Sequence, residues 1–300
     1  MGAVHKSVLL KEVMSCLQVA AGEKYIDATL GQAGHSLGIA KAGGVVLGIE
    51  ANDKTFNWVR DYLGKLNDPT LRGQIKVVRG NFKNIGEIAK GGGFSKVAGV
   101  LFDLGLSTYE LREGGLGFSF LKNEPLDMRL DHESGGVSAQ DLVNSLEKDE
   151  LYGIFTKFGE ERDAERIVSA IVRGRRIKKV ETSFDLVSLI DSAYQPKLSR
   201  PALVKHLAKV FQSLRIAVND ELNSLRAALS QTLNLVSSGG RVCVISFHSL
   251  EDRVVKEQFR AWQSGRLGFQ LNKTPITADH DGLRANRSER SAKLRVFEKM

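Results

Sequence analysis

Four short runs of mostly apolar, β-branched residues recur in the first hundred positions, and each ends in a polar or small residue. They cover residues 25–28, 45–50, 75–79 and 97–103. The segments between them are long enough for crossover helices, so the pattern predicts a βαβα order and a parallel sheet. The almost unbroken hydrophobicity of residues 97–102 is typical of a central strand covered on both faces.

Strand character disappears after this region and returns near the other end of the chain. Residues 241–247, 267–271 and 294–297 each read as a strand, the first announced by the turn pair Gly239-Gly240. Between residues 109 and 208 apolar residues recur at helical spacing instead, and a long amphipathic stretch covers 203–229. The sequence therefore predicts one α/β domain formed by residues 1–108 and 209–300, with a helical domain, 109–208, inserted in it.

Composition narrows the class of protein. Hydrophobic residues make up 42% and charged residues 26% of the chain, which is typical of globular domains. Its longest apolar run is far shorter than the roughly 18 residues of a membrane span, and the first 25 residues do not resemble a leader. We therefore expect a cytoplasmic protein with no membrane partner. Two cysteines without ligand spacing, Cys16 and Cys243, predict no disulfide framework and no metal site.

Positive charge is concentrated in one part of the chain. The net charge is +8 overall, −7 for residues 109–161 and +7 for residues 162–215. Five cations lie within seven residues: Arg173, Arg175, Arg176, Lys178 and Lys179. Such a cluster suits phosphate binding, and the alternative is a solvated helix face balanced by the acidic segment.

A glycine-bearing turn follows the first predicted strand. Gly31 and Gly34 allow close approach of a ligand where parallel sheets bind cofactors, at the carboxyl ends of strands. Glu50 ends the next strand, 19 positions after Gly31. At this spacing a carboxylate can accept hydrogen bonds from the hydroxyls of a ribose. NAD and S-adenosylmethionine fit this pattern equally, and a purely structural turn remains an alternative.

A second set of residues extends the predicted crevice. Asp27, Glu50 and Asp103 each close a strand, and we expect all three to face one cleft with polar anchors in an apolar surround. Phe82, after the third strand, either packs against an adenine or fills the core.

Longer blocks of sequence resemble one known family. They occupy residues 5–10, 27–36, 103–107, 117–120, 125–131, 159–162, 211–219, 244–253 and 290–295. In this order they resemble the bacterial small-subunit ribosomal RNA cytosine-N4 methyltransferases, RsmH or MraW. Nine such blocks in order identify a family far more specifically than the two glycines of the turn after the first strand do.

The resemblance implies a fold, a cofactor and a substrate. The fold is an α/β, class I S-adenosylmethionine-dependent methyltransferase fold: a Rossmann-like, seven-stranded, mostly parallel sheet with an inserted helical domain. The substrate is N4 of a cytidine in small-subunit ribosomal RNA, presented by the small ribosomal subunit. The implied donor-binding residues, with Gly31 of the turn, are Ala33, Gly34, His35, Glu50, Phe82, Asp103 and Glu110. This chain departs from the usual family residues at three of them, which are Gly at 33, Asp at 50 and Gln at 110.

The chemistry of the transfer suggests a catalytic group. The exocyclic amine of cytosine is a poor nucleophile because its lone pair is delocalised, so an acceptor that hydrogen-bonds the amine as charge develops favours the transition state. Asp103, with the backbone that follows it and Ser107, is the candidate. Alternatively, Asp103 only binds the donor.

Further residues are assigned to the RNA. Phe118 and Phe120 either stack on the target base or pack internally, and the loop 125–131 with Arg129 could close the pocket. Arg215, Asn219, His248 and Arg290 lie in the family blocks and complete the candidate set, together with the five clustered cations. Ser249 and Asp252 form a helix-start pattern, and adjacent His248 and Ser249 make a poor nucleophile and base pair.

Three other functions share parts of this pattern. An NAD-dependent oxidoreductase would share the turn and Glu50, and a DNA amino methyltransferase would share the donor site. A ribosome-assembly factor that binds RNA without catalysis would keep the fold despite the changes at Ala33, Glu50 and Glu110. A homodimer is compatible with all of them.

Overall fold

The computed structural model describes residues 7–106, 115–131, 135–279 and 287–300. The chain divides into two compact units, one of Met1–Ser107 with Leu222–Met300 and one of Thr108–Glu221. A division at residues 208 and 209, as the sequence predicts, would cut a continuous helix, Arg200–Asn219. The helical unit therefore ends just after that helix.

The first unit contains the sheet. Its strands are β1 (Lys24–Asp27), β2 (Val45–Glu50), β3 (Ile75–Arg79), β4 (Val97–Asp103), β5 (Val236–Ser246), β6 (Gly268–Gln270) and β7 (Lys293–Lys299). Their order is β3-β2-β1-β4-β5-β7-β6. Strands β1 to β5 are parallel, and β7 runs antiparallel to β5 and β6. This confirms the predicted seven-stranded, mostly parallel sheet.

The helices of this unit connect the strands. They are α1 (Leu10–Leu17), α2 (Gly34–Lys41), α3 (Asp53–Gly64), α4 (Pro69–Gln74) and α5 (Ile85–Gly92). Asn52 begins α3 by accepting a hydrogen bond from the Thr55 amide, and Asp68 begins α4 directly before Pro69. Both starts follow the usual preference for short polar caps.

The centre of the sheet is dry. The central strands carry side chains with an exposed fraction of 0%: Ile26, Leu47, Val100, Leu101 and Phe102. This burial explains the continuous hydrophobicity of β4. The strand β5 begins at Val236, before the predicted start at residue 241, because the chain enters the sheet before the glycine turn. Its register against β4 shifts between Val97 and Gly99, where the Gly239 region adds extra residues.

The second unit consists of helices and of a non-helical segment, residues 115–131, that precedes them. Its helices are α6 (Ala139–Ser145), α7 (Lys148–Gly159), α8 (Ala164–Gly174), α9 (Ser183–Ser192) and α10 (Arg200–Asn219). Ser138 with Asp141 and Thr182 with Asp185 form capping boxes at α6 and α9. The amphipathic stretch predicted over 203–229 is two helices, because Asp220 adopts a left-handed φ of 47° and ends α10.

The next helix, α11 (Glu221–Leu235), leads back into the sheet, and α12 (Ser249–Ser264) follows β5. Across the described residues, none of these helices combines the length and the hydropathy needed to span a bilayer.

Candidate active site

The turn between β1 and α2 is tight and internally bonded. Asp27 is buried at the end of β1, where its carboxylate accepts hydrogen bonds from the Thr29 amide at 3.2 Å and the Ser36 hydroxyl at 2.7 Å. Gly31 and Ala33 both adopt left-handed backbone conformations, with φ of 51° and 61°. Helix α2 therefore starts directly above the carboxyl end of the strand. The sequence predicted that Asp27 faces an open cleft; it is instead enclosed beneath this turn.

Glu50 joins the end of β2 to the same turn. Its Oε2 accepts a hydrogen bond from the Gly31 amide at 2.9 Å, and its Oε1 accepts one from the Asn52 amide at 2.7 Å. The side chain is buried. The spacing of Gly31 and Glu50 in the sequence thus corresponds to a direct contact. Backbone amides thus bind both carboxylate oxygens of Glu50 and fix the side chain beside the turn.

Asp103 closes β4 on the other side of β1. Its amide donates to the Thr29 hydroxyl at 2.6 Å, and its Oδ2 lies 3.3 Å from Nε2 of His35. The second carboxylate oxygen, Oδ1, is buried and has no hydrogen-bond partner among the described residues. Buried carboxylate oxygens are rarely left unpaired, so Oδ1 marks a position where a ligand donor fits.

Electrostatics couples these groups. Burial raises the pKa of Asp27, and the nearby His35 and the two hydrogen bonds offset this only in part. For His35 burial alone lowers the pKa, but the hydrogen bond and charge of Asp103, with the charge of Asp27, outweigh it and raise the pKa. The arrangement favours a protonated imidazole at His35, next to the Asp103 side chain.

Phe82 lies in a short 3₁₀ turn, Phe82–Asn84, after β3. The Asn81 side chain caps this turn by accepting from the Lys83 amide at 2.9 Å. The Phe82 ring meets Phe102 edge-on with centroids 6.0 Å apart, and it remains half-buried. It therefore packs against the core and still presents part of its surface. Ser107 and Glu110, also named from the sequence, lie outside the described residues.

In the helical unit, the residues assigned to RNA from the sequence are held by internal contacts. Phe118 is buried, and the Phe120 ring packs edge-on against Phe211 at 5.5 Å. The Arg129 guanidinium forms two bonds of 2.7 Å with Asp127. These contacts position the segment around residues 118–129 within its own unit.

Arg215 and Asn219 also act within the helical unit. Arg215 forms bonds of 2.8 and 3.0 Å with Glu221. The Asn219 side chain accepts from the Leu130 amide at 2.9 Å and donates to the Met128 carbonyl at 2.8 Å. Asn219 thus fixes the backbone of the predicted pocket loop.

His248 and Arg290 belong to the first unit. The His248 Nδ1 caps α12 by accepting from the Glu251 amide at 3.3 Å, and Glu251 bonds back to the Phe247 and His248 amides. The predicted Ser249 and Asp252 start is therefore displaced by one residue. Arg290 is exposed in a 3₁₀ turn, Arg287–Ser291.

The cation cluster lies at the end of α8. Arg173, Arg176, Lys178 and Lys179 are exposed, while Arg175 is half-buried and donates to the Val143 carbonyl at 2.8 Å. Lys178 pairs with Asp185 at 2.7 Å. Part of the cluster is therefore structural and part is exposed.

Three residues of the site carry no assignment from the sequence. Thr29 and Ser36 connect Asp103 and Asp27 to the turn, and Asn52 connects Glu50 to α3. The sequence does contain patterns that could have identified them. Asp27 and Thr29 have the spacing of an Asx turn, and Asn52 stands three residues before Thr55, as a helix N-cap residue does.

The fold belongs to the class I, Rossmann-like methyltransferase domains. Its sheet has their strand order with an antiparallel β7, a glycine turn follows β1, and acidic residues end β1, β2 and β4. The chain belongs to the MraW methylase family, whose model matches residues 2–300. This confirms the resemblance seen in the sequence.

Curated relatives match along the whole chain. Ribosomal RNA small subunit methyltransferase H of Geobacter sp. (strain M21) is 40% identical over 314 residues, covering 99% of this chain and 98% of the relative. The protein of the same name from Persephonella marina is 38% identical, covering 99% of both chains. A solved putative rRNA methylase from Clostridium thermocellum aligns over 99% of this chain and 100% of that chain, but its 14% identity and TM-score of 0.43 are too low to add support.

Proposed function

We propose that this protein transfers a methyl group from S-adenosylmethionine to N4 of a cytidine in small-subunit ribosomal RNA. The observation that carries the proposal is the family match over residues 2–300, with relatives of the same length that are named ribosomal RNA small subunit methyltransferase H. The ribosomal RNA and the small subunit are then the partners, and a cytoplasmic location goes with them. A homodimer stays a prediction that sedimentation would test.

The residues at the carboxyl ends of β1, β2 and β4 fit the methyl donor. The unpartnered Oδ1 of Asp103, the Glu50 carboxylate beside the Gly31 turn and the partly open ring of Phe82 offer polar and apolar contacts. The turn Gly31, Ala33, Gly34 and His35 would lie against the donor, and Glu110 stays a prediction of the sequence. When bound, S-adenosylmethionine supplies an electrophilic methyl on a sulfonium centre.

The residues of this chain mainly position the nucleophile. Asp103 would accept a hydrogen bond from the cytosine amine, which stabilises the positive charge that develops on nitrogen as the new bond forms. His35 holds the Asp103 side chain in place through the 3.3 Å contact. Holding the two reactants in line removes roughly 7–11 kcal/mol of the barrier in well-oriented systems. Ser107 would assist from the segment that follows Asp103.

The substrate assignments divide into two groups by their contacts. Arg129, Arg215 and Asn219 would act by holding a loop in shape, since their polar groups are already engaged. The exposed cations of the 173–179 cluster would contact phosphates, which contribute affinity without reading sequence. Phe120, His248 and Arg290 remain candidates for contact with the RNA, whereas Phe118 is buried and would act by packing within its unit.

The test uses small subunits from a strain that lacks this activity. Incubation with labelled S-adenosylmethionine followed by nucleoside mass spectrometry should yield N4-methylcytidine, and duplex DNA should not be labelled. Binding of S-adenosylhomocysteine without any product would favour the non-catalytic assembly factor. Absence of both would overturn the proposal.

Asp103→Asn separates the two roles of Asp103. Losing the charge should weaken S-adenosylhomocysteine binding by about tenfold, in line with about 1.5 kcal/mol for a charge-assisted hydrogen bond. If Asp103 also aids the amine, kcat at saturating donor falls as well. An unchanged kcat leaves only the binding role. Asp61→Asn, at an exposed residue of the same unit, is the matched control.

A further inference from the structure

The turn that follows α8 is held rigidly at both ends. Gly174 packs so closely on α9 that a Cβ there would lie 2.2 Å from Leu189 Cδ2. The amides of Ile177 and Lys178 both donate to the Gly174 carbonyl, at 3.0 and 3.1 Å. At the far end Asn144 forms two bonds with the backbone of Val180, at 2.8 and 3.0 Å. The turn therefore presents its outer residues in a fixed geometry.

Ile177, within this turn, is unusually exposed. Its side chain is 90% exposed, the highest value among the exposed large apolar residues of the described chain, while Val180 three positions later is buried. An isoleucine this exposed contributes little apolar burial to the fold. Its whole side chain is available for contact with a partner.

The charges around Ile177 indicate the chemistry of that partner. Arg173 and Arg176 are exposed and form no hydrogen bond or ion pair with any described residue. Lys178 and Lys179 add two more exposed cations, although Lys178 pairs with Asp185. An exposed apolar side chain flanked in sequence by exposed arginines and lysines matches a polyanion that also offers apolar faces.

We propose that Ile177 packs against the face of an unpaired RNA base while the flanking cations bind phosphates on either side of it. This inference rests on the proposed function and specifies how the RNA is gripped. Unpaired nucleotides expose their faces to side chains, whereas in an A-form duplex the bases are stacked and the deep groove is inaccessible. Apolar wedges next to cations are used in this way by other nucleic-acid-binding proteins.

The experiment measures binding by fluorescence anisotropy with two labelled probes, a 12-nucleotide oligouridylate and a 12-base-pair RNA duplex, across a salt series. Oligouridylate has no methylatable cytosine, so binding is separated from chemistry. The variants of the full chain are Ile177→Ser, the conservative Ile177→Leu, and Arg176→Gln. Leu271→Ser, at another exposed aliphatic residue outside the turn, is the control.

Ile177→Ser should weaken oligouridylate binding by about tenfold with an unchanged salt slope, because only apolar contact is lost. Its duplex binding should change less than twofold, and Ile177→Leu should retain wild-type affinity. Arg176→Gln should weaken both probes and reduce the salt slope by about 0.7 for the single strand.

The inference is overturned if Ile177→Ser binds oligouridylate within twofold of wild type, or if it loses affinity equally for both probes. Failure of the wild type to bind oligouridylate also overturns it. None of these affects the proposed function, which fails only if the wild type does not methylate small subunits. Ile177 is exposed, so a normal melting curve for Ile177→Ser is expected and checks folding.

Discussion

Ala33 occupies a backbone conformation that glycine adopts more easily. Its φ of 61° is left-handed, and its side chain is fully buried in the turn above β1. Left-handed geometry costs a non-glycine residue about 1–2 kcal/mol, and the reduced flexibility of the unfolded chain offsets about 0.4–1 kcal/mol of this. Ala33 therefore destabilises the turn only modestly relative to the glycine that the sequence resemblance implies at this position.

We predict that Ala33→Gly changes the free energy of unfolding by less than about 1 kcal/mol and retains S-adenosylhomocysteine binding. Ala33→Val should cost about 2–3 kcal/mol, because a branched side chain is added in a buried, left-handed position. Calorimetric melting and titration of both variants make the comparison. Equal melting temperatures for the two would show that the turn is looser than its geometry implies.

The pair formed by His35 and Asp103 should make stability depend on pH. The pKa of His35 is raised in the folded state above its ordinary value of 6.5, so the folded protein binds this proton more tightly than the unfolded chain. The stabilisation is therefore complete below pH 6.5 and is lost as pH rises through the raised pKa. A single group contributes at most about 1.4 kcal/mol per pH unit.

His35→Gln should remove this component. The difference in unfolding free energy between wild type and variant should shrink as pH rises above 6.5, measured by urea denaturation from pH 5.5 to 9. Asp27, whose pKa is raised mainly by burial, is present in both proteins, so its own burial affects the stability of both. A difference that stays constant over this range would mean that folding does not raise the pKa of His35.

At the level of residues, the sequence predicted which strands end in acidic side chains but not how these side chains are bonded. The spacing of Gly31 and Glu50 suggested a carboxylate that binds a ribose, and the structure adds a direct bond between the two residues, because neighbouring parallel strands align their carboxyl ends. The burial of Asp27 and the contact between His35 and Asp103 depend on the first turn of α2, whose orientation no local pattern specifies.

At the level of elements, Asn219 is the residue whose loss should be felt most widely. It bonds to the backbone of Met128 and Leu130, and its amide also donates to the Arg215 carbonyl at 2.9 Å. The end of α10 thus holds a segment almost ninety residues away in the chain. Without the side chain, partly buried amide and carbonyl groups would lose their partners.

Asn219→Ala should destabilise the helical unit by about 2–3 kcal/mol and increase amide exchange at Met128 and Leu130. Asn223→Ala, at an exposed position on α11, is the control and should leave both measurements unchanged. Hydrogen exchange read by mass spectrometry resolves the segment. Unchanged exchange in Asn219→Ala would mean that the loop is held by other contacts.

Most strands could be placed from the sequence because buried parallel strands are continuous apolar runs. Helix boundaries were harder, since one amphipathic pattern can continue through a break. Asp220, with φ of 47°, ends α10 although the apolar spacing carries on into α11. His248 caps α12 in place of Ser249, and an imidazole acceptor is not among the usual cap residues.

At the level of the whole molecule, the order of strands explains why both ends of the chain are needed for one sheet. Strand β4 pairs with β1 on one side and with β5 on the other, although the whole helical unit lies between β4 and β5 in sequence. The return of strand character after residue 230 predicted this. The end of the insertion could not be placed from the sequence, because α10 has no change in composition at residue 208.

The candidate donor site and the exposed cations belong to different units, so their defects should be separable. Changing Arg173, Arg176 and Lys179 together to Gln should weaken oligouridylate binding and lower its salt slope by about 2, the sum of three phosphate contacts at about 0.7 each. The same variant should bind S-adenosylhomocysteine as the wild type does. Asp103→Asn should show the reverse, with weakened donor binding and an unchanged salt slope for RNA. Calorimetry and anisotropy on the same preparations give both readouts. A loss of donor affinity in the triple variant would mean that the cations act on the sheet unit, and the division of labour between the two units would have to be abandoned.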